Sequence, residues 1–369
     1  MNKKEISEIK KLFTPAGCCI TRICSCYVDS EKNKRTELKE AFLSLPEDDA
    51  FKYFNIFRGT LSGTVEKNLI NLDSPSDYLL MLRNSQLKDE ALINDFYDKV
   101  IENYDYGENY YIVLIHGMYD IPGKASDGLD MFDSSDFVYE FIQCAICPVK
   151  LTKGALGYNT DQNVIESRKR DWVVEAPDTG FLFPAFTERN ADIHGLLFYA
   201  KKPDQIPDRF IEQLLGCVIP MSAKSQKEIF QGIVEETLGE NCNFSSVKSI
   251  YENINDLLEE SKDMAEPLAL DKYQVKKLLE NSGASDESLA DFEKNYKNME
   301  IPVSNVINPK AFEIETEGLI IKVKPNMAGR VECRMIEGRP CIVMAVSDHL
   351  KVDGIEVRPI VLERESENK

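Results

Sequence analysis

The chain has 369 residues, of which 43% are hydrophobic and 29% charged, a composition typical of a globular protein with two or three domains. Its 63 acidic and 44 basic side chains give a formal net charge of -19 at pH 7. Nucleic-acid phosphates and anionic lipid headgroups are bound by clustered lysine and arginine. The composition therefore disfavours both nucleic acid and a membrane surface as partners.

Neither a secretory leader nor a membrane span is predicted. Charged residues recur through positions 1–11, and no apolar stretch follows the lysines. The longest apolar run, 110–115, is far shorter than the roughly 20 residues needed to cross a bilayer. We therefore expect a cytoplasmic protein, in which the ten cysteines stay reduced and pack mostly as small apolar side chains.

Helical and strand patterns alternate over the first hundred residues. The pattern predicts a strand and three helices, over residues 19–28, 34–45, 47–61 and 89–104. Phe51, Phe54 and Phe57 fall on one helical face, which indicates packing against the core.

From residue 110 the spacing of apolar residues changes to one typical of buried strands. Apolar runs over 110–118 and 137–151 flank a stretch rich in Gly and Asp, 120–136, which is predicted to be a loop. Further strands are predicted over 172–175, 180–186 and 193–200. Because their connections are short, hairpins are favoured over parallel crossovers. The fold class predicted is α+β, with a mixed or antiparallel sheet and flanking helices.

Three regions are predicted: an α+β body over residues 1–202, an acidic helical region over 203–300, and a small β unit over 301–369. Residues 235–300 contain 16 acidic and 7 basic side chains, typical of a solvated helical face or of a docking surface for a basic partner. Alternation at Val331, Cys333 and Met335 and the Asp353-Gly354 turn indicate hairpins in the last region.

Six stretches of the sequence are distinctive when taken together: Leu12–Pro15, Ile20–Ile23, Cys26–Asp29, Ala41–Pro46, Arg168–Val174 and Gly180–Phe186. With these stretches the chain resembles a family of uncharacterised proteins from Firmicutes, grouped as domain of unknown function 4317. The resemblance covers nearly the whole chain and implies a cytoplasmic bacterial protein. It carries no activity, cofactor or catalytic residue to transfer.

Thiol chemistry is the first candidate for function. Six cysteines are clustered in sequence: Cys18, Cys19, Cys24, Cys26, Cys144 and Cys147. Four of them could bind zinc, or a pair could form a redox dithiol. Structural zinc sites usually take their ligands from turns, whereas Cys24, Cys26 and Cys147 fall within predicted strands. Core packing is therefore favoured, and we predict neither a metal nor a cofactor.

An acidic loop is the second candidate. Carboxylates recur in and beside it, at Asp120, Asp127, Asp130, Asp133 and Asp136, after His116. Hard cations prefer such oxygen ligands. The EF-hand pattern is missing, however, and Asp and Gly are also ordinary residues of solvated turns.

A cluster of arginine and histidine is the third candidate. Arg168, Arg170 and Arg189 could grip an anionic ligand, and Asp192 with His194 could form a general base. The structural alternative is a set of surface ion pairs beside a hydrogen-bonded histidine. Motifs for P-loop, Rossmann, serine-hydrolase and zincin chemistry are missing from the sequence.

Two functions remain open. The favoured one is a non-enzymatic binding or regulatory protein with a protein partner. The alternative is a hydrolase or transferase that acts on an anionic small molecule through the arginine and histidine cluster. Convergence of Arg168, Arg170, Arg189 and His194 in one concave pocket would favour the enzyme.

The sequence generates one prediction about partners. We expect no measurable binding of DNA or RNA at 0.15 M salt, because the net charge of -19 repels a polyanion and the densest basic run, 168–170, is followed by Asp171. An anisotropy titration checks this. Micromolar affinity that falls steeply with added salt would contradict it.

Overall fold

The computed structural model describes residues 1–124, 130–261, 264, 267–296, 300–346 and 350–358, without the side chains of residues 123–136. The chain packs into two compact units, residues 1–228 with 264–267 and residues 229–263 with 268–369. The division into regions 1–202, 203–300 and 301–369 stays a prediction.

The first unit contains four α-helices and twelve strands in its described residues. They are α1 (Lys3–Lys11), β1 (Ile20–Val28), β2 (Lys34–Ala41), α2 (Glu47–Gly59), β3 (Leu69–Asp73), α3 (Asp77–Asn84), α4 (Glu90–Asn103), β4 (Tyr110–Lys124), β5 (Asp130–Leu151), β6 (Leu156–Asn159), β7 (Val164–Ser167), β8 (Trp172–Val174), β9 (Thr179–Phe183), β10 (Ala185–Thr187), β11 (Asn190–Asp192) and β12 (Gly195–Ala200). A π-helical segment, Phe210–Leu215, follows them.

A large antiparallel sheet forms the centre of this unit, in the order β2-β1-β4-β5-β9-β12-β3, with β8 paired to β5. Both faces of the sheet are covered. Ile112 and Leu114 of β4 pack with α3, α4 and the π-helical segment, whereas Val113 and Ile115 pack with α1 and α2. This two-sided burial explains why β4 is apolar at consecutive positions. The predicted α+β class, with helices flanking an antiparallel sheet, is confirmed.

The helix predicted over 34–45 is wrong, because this segment forms β2 and a short 3-10 turn, Phe42–Ser44. β2 lies at the sheet edge and pairs with β1 along its length. Its lysines contact acidic groups beside it: Lys34 Nζ lies 2.8 Å from Asp98 Oδ1 of α4. Strand pairing has overridden the helix preference of Lys, Glu and Leu.

The loop predicted over 120–136 is also wrong in its described part. β4 continues to Lys124 and β5 begins at Asp130, and the two strands pair through register shifts around Pro122. Such bulges allow a ladder to pass a proline and extra residues. Residues 125–129 lie outside the described residues.

The phenylalanine face of α2 is narrower than the spacing suggests. Phe54 and Phe57 are buried, but Phe51 is 56% exposed. A spacing of three residues drifts by about 60° per step around a helix, so Phe51 lies about 120° away from Phe57.

The remaining elements belong to the second unit, apart from the start of α5. They are α5 (Ala223–Leu238), α6 (Phe244–Glu260), β13 (Ala269–Asp271), α7 (Lys272–Asn281), α8 (Asp286–Asn295), β14 (Glu300–Pro302), α9 (Val303–Val306), β15 (Phe312–Thr316), β16 (Leu319–Val323), β17 (Val331–Ile336), β18 (Arg339–Met344), β19 (Leu350–Val352) and β20 (Ile355–Val357). Ile233, Ile254, Leu279 and Phe292 join these helices in one core.

Three hairpins end the described part of the second unit. β15 pairs with β16, β17 with β18, and β19 with β20. Asp353 and Gly354 both have positive φ, 50° and 83°, as a two-residue hairpin turn requires. The hairpin predicted from Asp353-Gly354 is therefore confirmed.

The close packing of β9 on β5 generates a prediction for Gly180. A Cβ at this position would meet the carbonyl of Cys144 and lie 2.9 Å from Cγ2 of Thr60. We expect Gly180→Ala to lower the free energy of unfolding by about 1–3 kcal/mol through overpacking. Gly154→Ala is the control, since nothing lies within 4 Å of its Cβ. Urea unfolding of both variants tests this, and equal midpoints would contradict it.

Candidate functional site

The predicted arginine and histidine candidates lie on two segments of the first unit. Arg168 and Arg170 are exposed residues just after β7. Arg170 Nε donates to the carbonyl of Thr152, 3.0 Å away, and the backbone N–H of Arg168 donates to the carbonyl of Ala155. These contacts tie both arginines to the connection between β5 and β6.

The other three candidates lie at the β10–β11 hairpin. Arg189 is half-buried, and its Nη2 donates to the carbonyl of Pro122 at 3.0 Å and lies 3.4 Å from Glu8 Oε1. Asp192 accepts a hydrogen bond from the backbone N–H of His194, whose side chain is exposed. This is an Asx-type turn contact between Asp192 and His194 rather than a contact with the imidazole.

The thiols do not form the zinc set considered from sequence. Leu114 of β4 pairs with both Cys24 of β1 and Cys144 of β5, so two strand spacings, about 9.6 Å, separate these cysteines. Cys147 packs on the opposite face of the sheet from Cys144. Residues three apart on a strand point to opposite faces, and the C-x-x-C spacing therefore places the two thiols on opposite sides of the sheet.

Neither candidate metal site gains support from the described residues. In that part of the chain no group of three His, Cys, Asp or Glu side chains is arranged to hold a metal ion. Asp127 lies outside the described residues, as do the side chains of Asp130, Asp133 and Asp136. His116 lies inside β4, where it is buried and contacts Thr21 and Glu140.

An exposed apolar hairpin is the feature that sequence analysis missed. β6 and β7 pair with Tyr158 opposite Ile165, and both side chains are exposed, Ile165 by 65%. Leu156 and Val164 on the same hairpin are exposed as well. The signal in the sequence was the pair of apolar segments on either side of the polar turn 159–163.

A groove lies beside strand β8. It has a volume of about 850 Å³ and is lined by β8, α2 and β2, with Trp172, Val174, Tyr53, Ile56 and Leu38 among its walls. Trp172, the one tryptophan of the chain, is 56% exposed. The hydroxyl of Tyr111, also in the lining, contacts that of Tyr53 at 2.8 Å and donates to Ser25.

Part of this segment is basic in an acidic chain. Arg168, Lys169 and Arg170 are consecutive and all exposed, and residues 156–174 together contain three basic and three acidic side chains. We call β6, β7, β8 and residues 168–171 the basic arm. Exposed tryptophan, tyrosine and arginine are the residue types that dominate protein-binding hot spots.

The fold and this surface define an α+β protein with a basic, aromatic arm beside an apolar groove. The chain belongs to the family of the domain of unknown function DUF4317, whose family model matches residues 1–355. No curated protein and no solved structure matches the chain. Among the helices of the described residues, none is both long and apolar enough to span a bilayer.

Differences in thiol exposure generate a prediction. Cys333 is exposed, whereas Cys26 and Cys144 are buried, and burial raises the pKa of Cys26 to about 12 and that of Cys144 still further. Because the thiolate is the reactive form, we expect iodoacetamide at pH 8 to alkylate Cys333 at least about 100-fold faster than Cys26 or Cys144. Mass spectrometry of the labelled peptides measures the rates. Equal rates in the native protein, with fast labelling of all sites in urea as the control, would contradict burial.

Proposed function

We propose that this chain is a binding or regulatory protein of the bacterial cytoplasm, and that it engages a protein partner through the basic arm and the adjacent groove, without chemistry at that surface. The observation that carries the proposal is the exposure of Trp172, Tyr158 and Ile165 together with the basic run 168–170. Ten free cysteines fit a reducing compartment.

The charge of the arm indicates the chemistry of the partner. A locally basic surface on a chain of net charge -19 favours an acidic segment over a basic one. The groove next to Trp172 offers apolar walls for one or two large side chains. The partner we propose is therefore an acidic protein segment with apolar anchors. Neither nucleic acid nor a membrane is part of the proposal, because the basic run 168–170 is short and the net charge is -19.

The acidic helices of the second unit could serve as a separate docking surface for a basic partner. Their carboxylates are in part already paired, as in the contact of 2.6 Å between Lys276 Nζ and Glu293 Oε1. The arm has the larger exposed aromatic surface, and for that reason we assign the partner to the arm.

The single tryptophan makes this proposal directly testable. The probe is a 12-residue peptide of alternating Glu and Leu, and its matched control has Lys in place of Glu. We expect the Glu peptide to shift the emission of Trp172 to shorter wavelength in a saturable titration, because the indole becomes less exposed. Ile165→Asp and the double substitution Arg168→Glu, Arg170→Glu should each weaken binding about 30-fold, the size of a hot-spot loss.

Leu319→Asp is the control variant, since Leu319 is an exposed apolar residue of the second unit. It should bind the Glu peptide as the unmodified chain does. The proposal is overturned if the emission does not respond, if the Lys peptide binds equally well, or if the arm variants keep full affinity.

A further inference from the structure

Three side chains from three neighbouring strands form a continuous hydrogen-bonded chain in the central sheet. Thr21 of β1 places its Oγ1 2.6 Å from Nδ1 of His116 on β4. Nε2 of the same ring lies 2.9 Å from Oε1 of Glu140 on β5. The order hydroxyl, imidazole, carboxylate is that of a hydroxyl nucleophile, its base and the group that orients the base.

The positions of the protons on these three side chains follow from the carboxylate of Glu140. An ionised carboxylate can only accept, so Nε2 carries the proton that is donated to Glu140. Nδ1 is then an acceptor, and the hydroxyl of Thr21 donates to it. The carbonyl of His116, at 3.2 Å, is the longer alternative acceptor for that hydroxyl.

Thr21 lies on a bulge, while the imidazole of His116 is buried. The pairing of β1 with β4 shifts between Ile20 and Arg22, so Thr21 is the extra residue of β1. Thr21 is an exposed residue, whereas the His116 side chain is 1% exposed and that of Glu140 29%. A bulge of this kind re-aims a side chain, and here the hydroxyl of an exposed residue contacts a buried base.

Two cationic side chains, Arg83 of α3 and Lys88 just after this helix, act on His116 electrostatically, more weakly than burial and Glu140. Lys88 Nζ donates to Gln86 Oε1 at 2.7 Å, and Gln86 Nε2 lies 3.4 Å from Glu140 Oε1. Burial, opposed by the contact with Glu140, lowers the pKa of His116 below the ordinary value of 6.5, so the imidazole is a neutral base at pH 7.

We propose that Thr21 is the nucleophile and His116 the general base of an acyl-transfer site whose substrate is a carboxylic ester. This activity goes beyond the binding function of the arm. It keeps the hydrolase alternative but assigns it to residues other than Arg168, Arg170, Arg189, Asp192 and His194. Glu140 is a positioning residue, because it acts through the imidazole.

The reaction balances with water as the only co-reactant. Thr21 Oγ1 attacks the ester carbonyl and its proton passes to His116 Nδ1, the bond to the alcohol oxygen breaks, and the alcohol leaves with that proton. Water then attacks the ester formed on Thr21 and gives a proton to Nδ1. The bond between Thr21 and the acyl group breaks, Thr21 regains the proton, and a carboxylic acid is released.

The first experiment looks for the covalent step on the full chain. An aryl fluorophosphonate should add one phosphonyl group, with loss of fluoride, and peptide mass mapping should place it on Thr21. We expect Thr21→Ser to retain labelling, and Thr21→Val, of equal shape, to abolish it. His116→Gln should slow labelling by about 100-fold, the usual contribution of a general base. Thr36→Ala, an exposed strand threonine, is the control for labelling elsewhere.

The second experiment measures turnover of a chromogenic ester. Nitrophenyl acetate should be hydrolysed by the unmodified chain and not by Thr21→Val. Glu140→Gln should lower kcat with little change in KM. The rate should hold above pH 6.5 and fall below it as His116, facing Glu140, Lys88 and Arg83, becomes protonated.

The proposal is overturned by a folded chain that is not labelled at Thr21, by labelling that persists in Thr21→Val, or by an unchanged rate in His116→Gln. Circular dichroism of each variant separates loss of fold from loss of chemistry, and Thr21→Ser restores the activity only if the hydroxyl reacts.

Discussion

Burial of both faces of one antiparallel sheet is the constraint on which the first unit depends. A polar group placed inside this sheet needs a partner within the protein, since leaving it unpaired costs about 1–3 kcal/mol. Gln143 of β5 is fully buried and donates to the carbonyl of Phe57 at 3.0 Å. Tyr139 donates to the carbonyl of Pro184 at 2.6 Å. The side chains of Gln143 and Tyr139 are thus held in orientation by these hydrogen bonds.

The network of His116 follows from this constraint. Both ring nitrogens need partners in the interior, and Thr21 and Glu140 supply them from the strands on either side. A buried histidine satisfied in this way is often only structural. The difference here is that Thr21 lies on a bulge of β1 and is an exposed residue. A fixed imidazole thereby contacts the hydroxyl of an exposed residue, an arrangement used in nucleophilic catalysis.

The hydrophobic pattern of the sequence predicted those elements in which the spacing of apolar residues follows their burial. The run 110–118 is apolar because both faces of β4 are covered. In α4 the buried side chains have helical spacing, at Ile93, Phe96, Tyr97 and Val100. β2 was not predicted, because its charged side chains stabilise a helix as well as an edge strand, and only pairing with β1 decides between them.

Thr21, His116 and Glu140 are far apart in sequence, and the strand order that joins them is a tertiary property. The basic arm was missed for another reason: β6 and β7 have only four residues each, and the exposure of their apolar side chains is a tertiary property.

The charged edge strand β2 also limits how this protein can assemble. Strands at the edge of a sheet offer unpaired backbone groups that can recruit another chain into a continuous sheet. On β2 that approach would bring two rows of lysine and glutamate together and strip water from both. The sheet therefore ends at β2, and its charged side chains disfavour growth into fibres along that edge.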